Sequence, residues 1–103
     1  MKSALLLSAL ILGLTGTTSV LADVALATSK NCMACHAMEK KLVGPSYKDV
    51  ATKYAGRNDA VEKLSTKILK GGSGVWGPVP MPANGQVNAA EAEKLATWIL
   101  SQK

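Results

Sequence analysis

Cys32-Met33-Ala34-Cys35-His36 decides the reading of this chain. Two cysteines three apart lie on the same side of a helical turn. Both sulfurs can therefore reach one edge of a flat ring. His36, four residues after Cys32, can then point beneath that ring and present a nitrogen. This is the C-x-x-C-H pattern of covalent haem attachment. It predicts thioether links from Cys32 and Cys35 to one haem c, with His36 on the iron.

Other uses of a Cys pair fit less well. A redox dithiol calls for a βαβ context, and no alternating strand pattern is present. A structural zinc site needs four ligands. Here the three candidates are crowded together, and His36 is the only histidine. A disulfide is the usual fate of two cysteines in an exported chain, but the adjoining histidine redirects the reading.

Export is suggested by the first residues. Met1-Lys2 is basic, Ala4 to Leu14 is almost wholly apolar, and the small-residue region ends in Val20-Leu21-Ala22. This order resembles a secretory signal, and cleavage is expected after Ala22. The expected organisation is a signal peptide over 1–22 and one domain over 23–103. The apolar run is shorter than the roughly 20 residues that span a bilayer. The processed chain is therefore expected in the periplasm, not spanning the membrane.

The domain left is small, and small domains usually need a cross-link, metal or cofactor to stabilise a core. The chain has two Trp, two Tyr and no Phe, so a buried porphyrin would supply missing apolar bulk. Removing residues 1–22 takes away Lys2 and no acid, lowering the formal charge from +5 to +4. A mild positive balance suits redox partners with acidic docking surfaces. The lysines are dispersed without interleaved aromatics, which argues against nucleic acid.

The rest of the domain reads as helices. Asp23 to about Asn31 is expected as a first helix, with Asp23 as its N-cap. Gly44-Pro45 breaks the loop that follows. Ser46 with Asp49 forms a capping pattern ahead of Tyr47, Val50 and Tyr54, and Gly56 ends that run. Asp59 with Glu62 suggests a third capped helix with Val61, Leu64 and Ile68 on its face, stopping at Gly71-Gly72. Asn88 with Glu91 caps the last, whose buried face is Ala92, Leu95, Trp98 and Ile99. Lys94 reads as a solvated charge. The Gly- and Pro-rich stretch from Gly71 to Val87 lacks periodicity, yet carries Trp76, Val79 and Met81. It is expected to wrap the cofactor.

A sixth ligand must be sought among Met33, Met38 and Met81. Met33 lies between the attachment cysteines, and Met38 is too near His36 to reach the opposite ring face. Met81 is far enough along the chain to pass round the ring, and Pro80 and Pro82 stiffen its segment. The alternatives are that Met81 is a core filler, or that the sixth position stays open, as in a small haem enzyme or gas sensor. The polypeptide should enclose a void between the cysteine turn and the Trp76–Met81 loop.

Over residues 23–103 the sequence resembles the short bacterial class I monohaem cytochromes c. The matching segments are Cys32 to His36, Val43-Gly44-Pro45-Ser46-Tyr47-Lys48-Asp49-Val50, Gly74-Val75-Trp76-Gly77-Pro78-Val79-Pro80-Met81-Pro82 and Trp98-Ile99-Leu100-Ser101-Gln102-Lys103. The resemblance implies an all-α fold of about four helices around one haem, with Met81 as distal ligand. It implies that the Pro45 carbonyl accepts the second His36 ring N–H, that Trp76 donates to a haem propionate, and that Asn84 hydrogen-bonds near the Met81 sulfur. Lys67 is the candidate to neutralise a propionate. A monomeric electron carrier without enzymatic activity is implied, passing single electrons from a quinol-oxidising complex to a terminal reductase or oxidase.

Overall fold

The computed structural model describes Gly13 and residues 19–102, with side chains at Gly13 and from Asp23 onward. The apolar stretch read as a signal lies almost wholly outside the described residues. Four helices carry the fold: α1 (Ser19–Ser29), α2 (Tyr47–Tyr54), α3 (Ala60–Lys70) and α4 (Ala89–Leu100). A short 3-10 turn, Cys32–Ala34, follows α1. Among the described residues β-pairing is limited to two isolated bridges, His36 with Lys41 and Gly72 with Met81.

Each helix boundary has a local cause. α1 begins four residues before Asp23, so Asp23 is not its N-cap as expected. Leu21 and Ala22 are strong helix formers, and the helix runs through them. Asp23 is instead nearly buried, its carboxylate 3.8 Å from Lys94 Nζ. Lys94 thus has a partner rather than being simply solvated. α1 ends where Asn31 adopts a left-handed conformation (φ 64°), which Asn tolerates better than most residues.

The Ser46 hydroxyl accepts from the Asp49 N–H at 3.0 Å and caps α2. Asp59 does not cap α3 with its side chain. Its carboxylate is engaged by Arg57 at 3.3 Å and approached by Lys63 at 3.8 Å, so a cation wins over the backbone donors. α4 has the full reciprocal box, with Asn88 Oδ1 accepting from Glu91 N at 2.8 Å and Glu91 Oε1 from Asn88 N at 3.1 Å. The Asn88 N–H and then Lys30 hold the Glu91 carboxyl below its usual range. Its contribution is therefore present above the ordinary carboxylate pKa and fades as pH falls through the lowered value.

α4 is the central element, packing against α3, α2 and α1. Leu95, Ala96 and Trp98 of α4 meet Tyr47, Val50 and Tyr54 of α2 and Leu64 and Ile68 of α3 in one core. Tyr47 and Trp98 pack edge to face with ring centres 5.0 Å apart. The end of α1 is clasped to the start of α4: Lys30 Nζ donates to Gln86 O, Gln86 Nε2 donates back to Lys30 O, and Lys30 pairs with Glu91.

Gly71 closes α3 at φ +71°. A Cβ there would collide with the Met81 carbonyl, and would stand 2.8 Å from Ala83 N and 2.9 Å from Pro82 C. Both strain and sterics oppose any side chain. Gly71→Ala is expected to destabilise the protein by about 2 kcal/mol and to displace the Met81 segment. Thermal melts of the two proteins check this; equal midpoints would contradict it.

Candidate functional site

The turn that carries the cysteines also aims His36. The Cys35 and His36 N–H groups both donate to the Cys32 carbonyl, at 3.3 and 3.1 Å. This winds Cys32 to His36 tightly enough to put sulfurs and imidazole on neighbouring sides of one turn. His36 Nδ1 lies 2.7 Å from the Pro45 carbonyl. A carbonyl only accepts, so Nδ1 carries the proton and Nε2 keeps its lone pair. The Tyr47 ring backs the imidazole at 5.5 Å between centres.

Gly44 makes that approach possible. A Cβ at Gly44 would stand 2.5 Å from His36 Cε1 and 2.8 Å from Nδ1. Gly44→Ala is expected to rotate the ring or break the Pro45 contact, costing about 1–3 kcal/mol. The shift of the His36 ring Nδ1–H proton resonance checks this. Retention of both stability and that resonance would count against it.

Cys32 and Cys35 are half-buried and not linked to each other. Burial pushes the Cys32 thiol up, the reverse of the lowered pKa that activates a redox dithiol. The Cys32 sulfur is therefore poorly suited to thiol exchange.

Behind Cys35 opens a cavity of about 420 Å³. Its walls bring together segments far apart in sequence: Cys35, His36 and Tyr47 on one side, Leu64 and Ile68 of α3, and Met81 from the long loop. The void expected between the cysteine turn and the Trp76–Met81 loop is present, with His36 and Met81 in its lining. Two backbone hydrogen bonds pin Met81, from Gly72 N to Met81 O at 3.0 Å and from Met81 N to Gly72 O at 2.8 Å.

The residues fit a haem. The cavity is mainly apolar and bordered by one of the attachment cysteines. A nitrogen and a thioether sulfur are in its walls. The Tyr47 ring, which backs His36, contributes to the same lining.

The remaining expected site residues divide. Lys67 and Trp76 both line the cavity, with Trp76 43% exposed at its mouth. Asn84 has partners on two sides. Its Nδ2 donates to Ile68 O at 2.8 Å and is 3.5 Å from Pro82 O, while Gln86 donates to its Oδ1. The amide thus ties the loop just after Met81 to α3. The carbonyl of Ile68, in the last turn of α3, is free of a helical partner and is a far stronger acceptor than a thioether.

Sequence reasoning also missed contributors. Gly44 was read only as half of a loop breaker, although a glycine without a turn requirement signals close approach. Tyr47 was read as core. Lys53, whose ammonium lies 5.2 Å from the Trp76 ring centre, carried no local signal.

Against known families, the model described as Cytochrome c matches residues 24–103. The chain belongs to the cytochrome c family. It is 57% identical over 103 residues to cytochrome c-552 of Hydrogenobacter thermophilus, covering 100% of both chains. Cytochrome c-551 of Pseudomonas aeruginosa is 55% identical over 75 residues, which is 73% of this chain and 71% of that protein. Among solved structures, Nitrosomonas europaea cytochrome c552 aligns with a TM-score of 0.76 at 52% identity, covering 78% of this chain and 99% of that one. A class 1 cytochrome, MtoD of Sideroxydans lithotrophicus, aligns at 0.70 and 37% identity, over 81% and 95% of the two chains.

This cytochrome is a class I monohaem protein with an all-α fold. It carries haem c covalently through a cysteine pair, and Cys32 and Cys35 are the only cysteines in the chain. Its relatives are electron carriers. Among the described residues no helix is long and apolar enough to cross a membrane.

Proposed function

We propose that this cytochrome is a periplasmic single-electron shuttle in which His36 and Met81 would hold the haem iron. It would take electrons from a quinol-oxidising complex and deliver them to a terminal reductase or oxidase. The observation that carries this reading is the shared cavity. His36, with Nε2 unprotonated, and Met81, pinned at both its N–H and C=O, line one apolar space bordered by Cys35.

When bound, haem supplies reversible one-electron exchange at iron. The chain's residues determine what else that iron can do. A methionine thioether favours the reduced metal and raises the potential. Two protein ligands leave no position for a substrate, so the reading is a carrier without enzymatic activity. Pro45 fixes the His36 tautomer, as outer partners of ligating histidines do. Trp76 and Lys67, both in the cavity lining, would meet the propionates. Asn84 acts by holding the loop to α3.

At the mouth, Val43, Val75 and Val79 are exposed beside Lys41. A small apolar patch with nearby lysines suits brief encounters of a monomer with an acidic partner face. Processing after Ala22 would leave residues 23–103 as the working domain, with Asp23 at the head of α1.

The ferric absorption spectrum of the purified holoprotein tests the ligand set. The expected result is a low-spin spectrum with the weak red band of methionine sulfur on ferric iron, unchanged by added peroxide. A high-spin spectrum that shifts with peroxide would establish the rival, an open-site enzyme or sensor.

A further inference from the structure

Few hydrogen bonds tie the segment Ser73–Pro80 among the described residues. Its neck is closed by the two Gly72–Met81 hydrogen bonds, and Gly74 N–H donates to Gly77 O at 2.9 Å within it. Among the described residues it makes no hydrogen bond to any helix. Its side chains Val75, Trp76 and Val79 are all substantially exposed, yet the segment forms one wall of the cavity. A contact that ties its tip to the helical body is Lys53, in the last turn of α2, whose ammonium stands 5.2 Å from the centre of the Trp76 ring.

We infer that Lys53 is a positioning residue that latches this flap, holding Trp76 at the cavity mouth through a cation–π contact. The geometry is within the roughly 6 Å at which a cation is attracted to an indole face, and Trp is the best of the aromatic partners. Lys53 is free to make the contact, because no carboxylate pairs with it among the described residues. Asp49, one helical turn earlier, lines the cavity but forms no ion pair with Lys53. With the neck already fixed by Gly72 and Met81, this contact at the tip adds its own increment to whatever else holds the flap closed. The contact does not depend on which residue is the sixth ligand.

The test uses the reduced holoprotein and amide hydrogen exchange at Gly74, whose N–H is protected only while the flap turn is formed. A contact of 0.5–1 kcal/mol at an exposed site corresponds to about a two- to fivefold change in opening. Lys53→Met, which keeps length and loses charge, is expected to speed Gly74 exchange by about that factor. Lys53→Arg is expected to restore the rate seen with lysine. Exchange at Leu95, in the core of α4, should stay constant in both and so report an intact fold. Unchanged Gly74 exchange in Lys53→Met, or equally fast exchange in Lys53→Arg, overturns the proposal. The unsubstituted protein gives a second check. Nuclear Overhauser contacts between the Lys53 side-chain methylenes and the Trp76 ring are expected, and their absence also overturns it.

Discussion

Purified free of haem, the Cys32→Ala/Cys35→Ala double variant is expected to have no stable tertiary structure. The cavity is the reason. At roughly 24 cal/mol per Å³ of unfilled core space, about 420 Å³ corresponds to about 10 kcal/mol, an upper figure because the mouth admits water. A domain of about 80 residues has only about 4–12 kcal/mol of stability in total. The two are of the same size, so the polypeptide alone has no margin. The alanines themselves matter little, since both cysteines are only half-buried. What is lost is the link that keeps a large apolar body between α3, the cysteine turn and the Met81 loop. Far-UV circular dichroism and thermal melting read the outcome. Most helical signal and any sharp transition should disappear. A cooperative melt with the helicity of the holoprotein would show that α4 and its neighbours suffice without the cofactor.

Met81→Ala is expected to abolish the red methionine–iron band and lower the reduction potential on the order of 0.1 V or more, within the roughly 0.8 V that axial ligands command. The fold should survive, because Met81 is held through its backbone bonds to Gly72 and alanine can make both. The effect is thus expected at the iron rather than in the packing. Met38→Ala is the matched control: Met38 is 38% exposed and outside the cavity lining, so neither band nor potential should move. If potential and spectrum of Met81→Ala equal those of the unsubstituted protein, Met81 is not the ligand.

The parts of this protein that were legible in its sequence share one property: the interacting groups lie within a few residues of each other. The Cys32–His36 turn and the capping pairs Ser46–Asp49 and Asn88–Glu91 are of this kind. Where local reading failed, another partner competed, distant in sequence for Asp23 and close by for Asp59. Asp23 was expected to cap α1 but faces Lys94. Asp59 binds Arg57 and Lys63 rather than the first turn of α3.

By itself, the amino-acid order determined the attachment turn, four helical segments and a loop long enough to carry Met81 round a ring. Tertiary structure alone decided how close Gly44 lets Pro45 come to His36, which acceptor Asn84 takes, and that Lys53 reaches Trp76. The division has a physical basis. Turn and helix contacts depend on spacing along the chain, whereas these three depend on where packed helices and loops leave room and an unpartnered group.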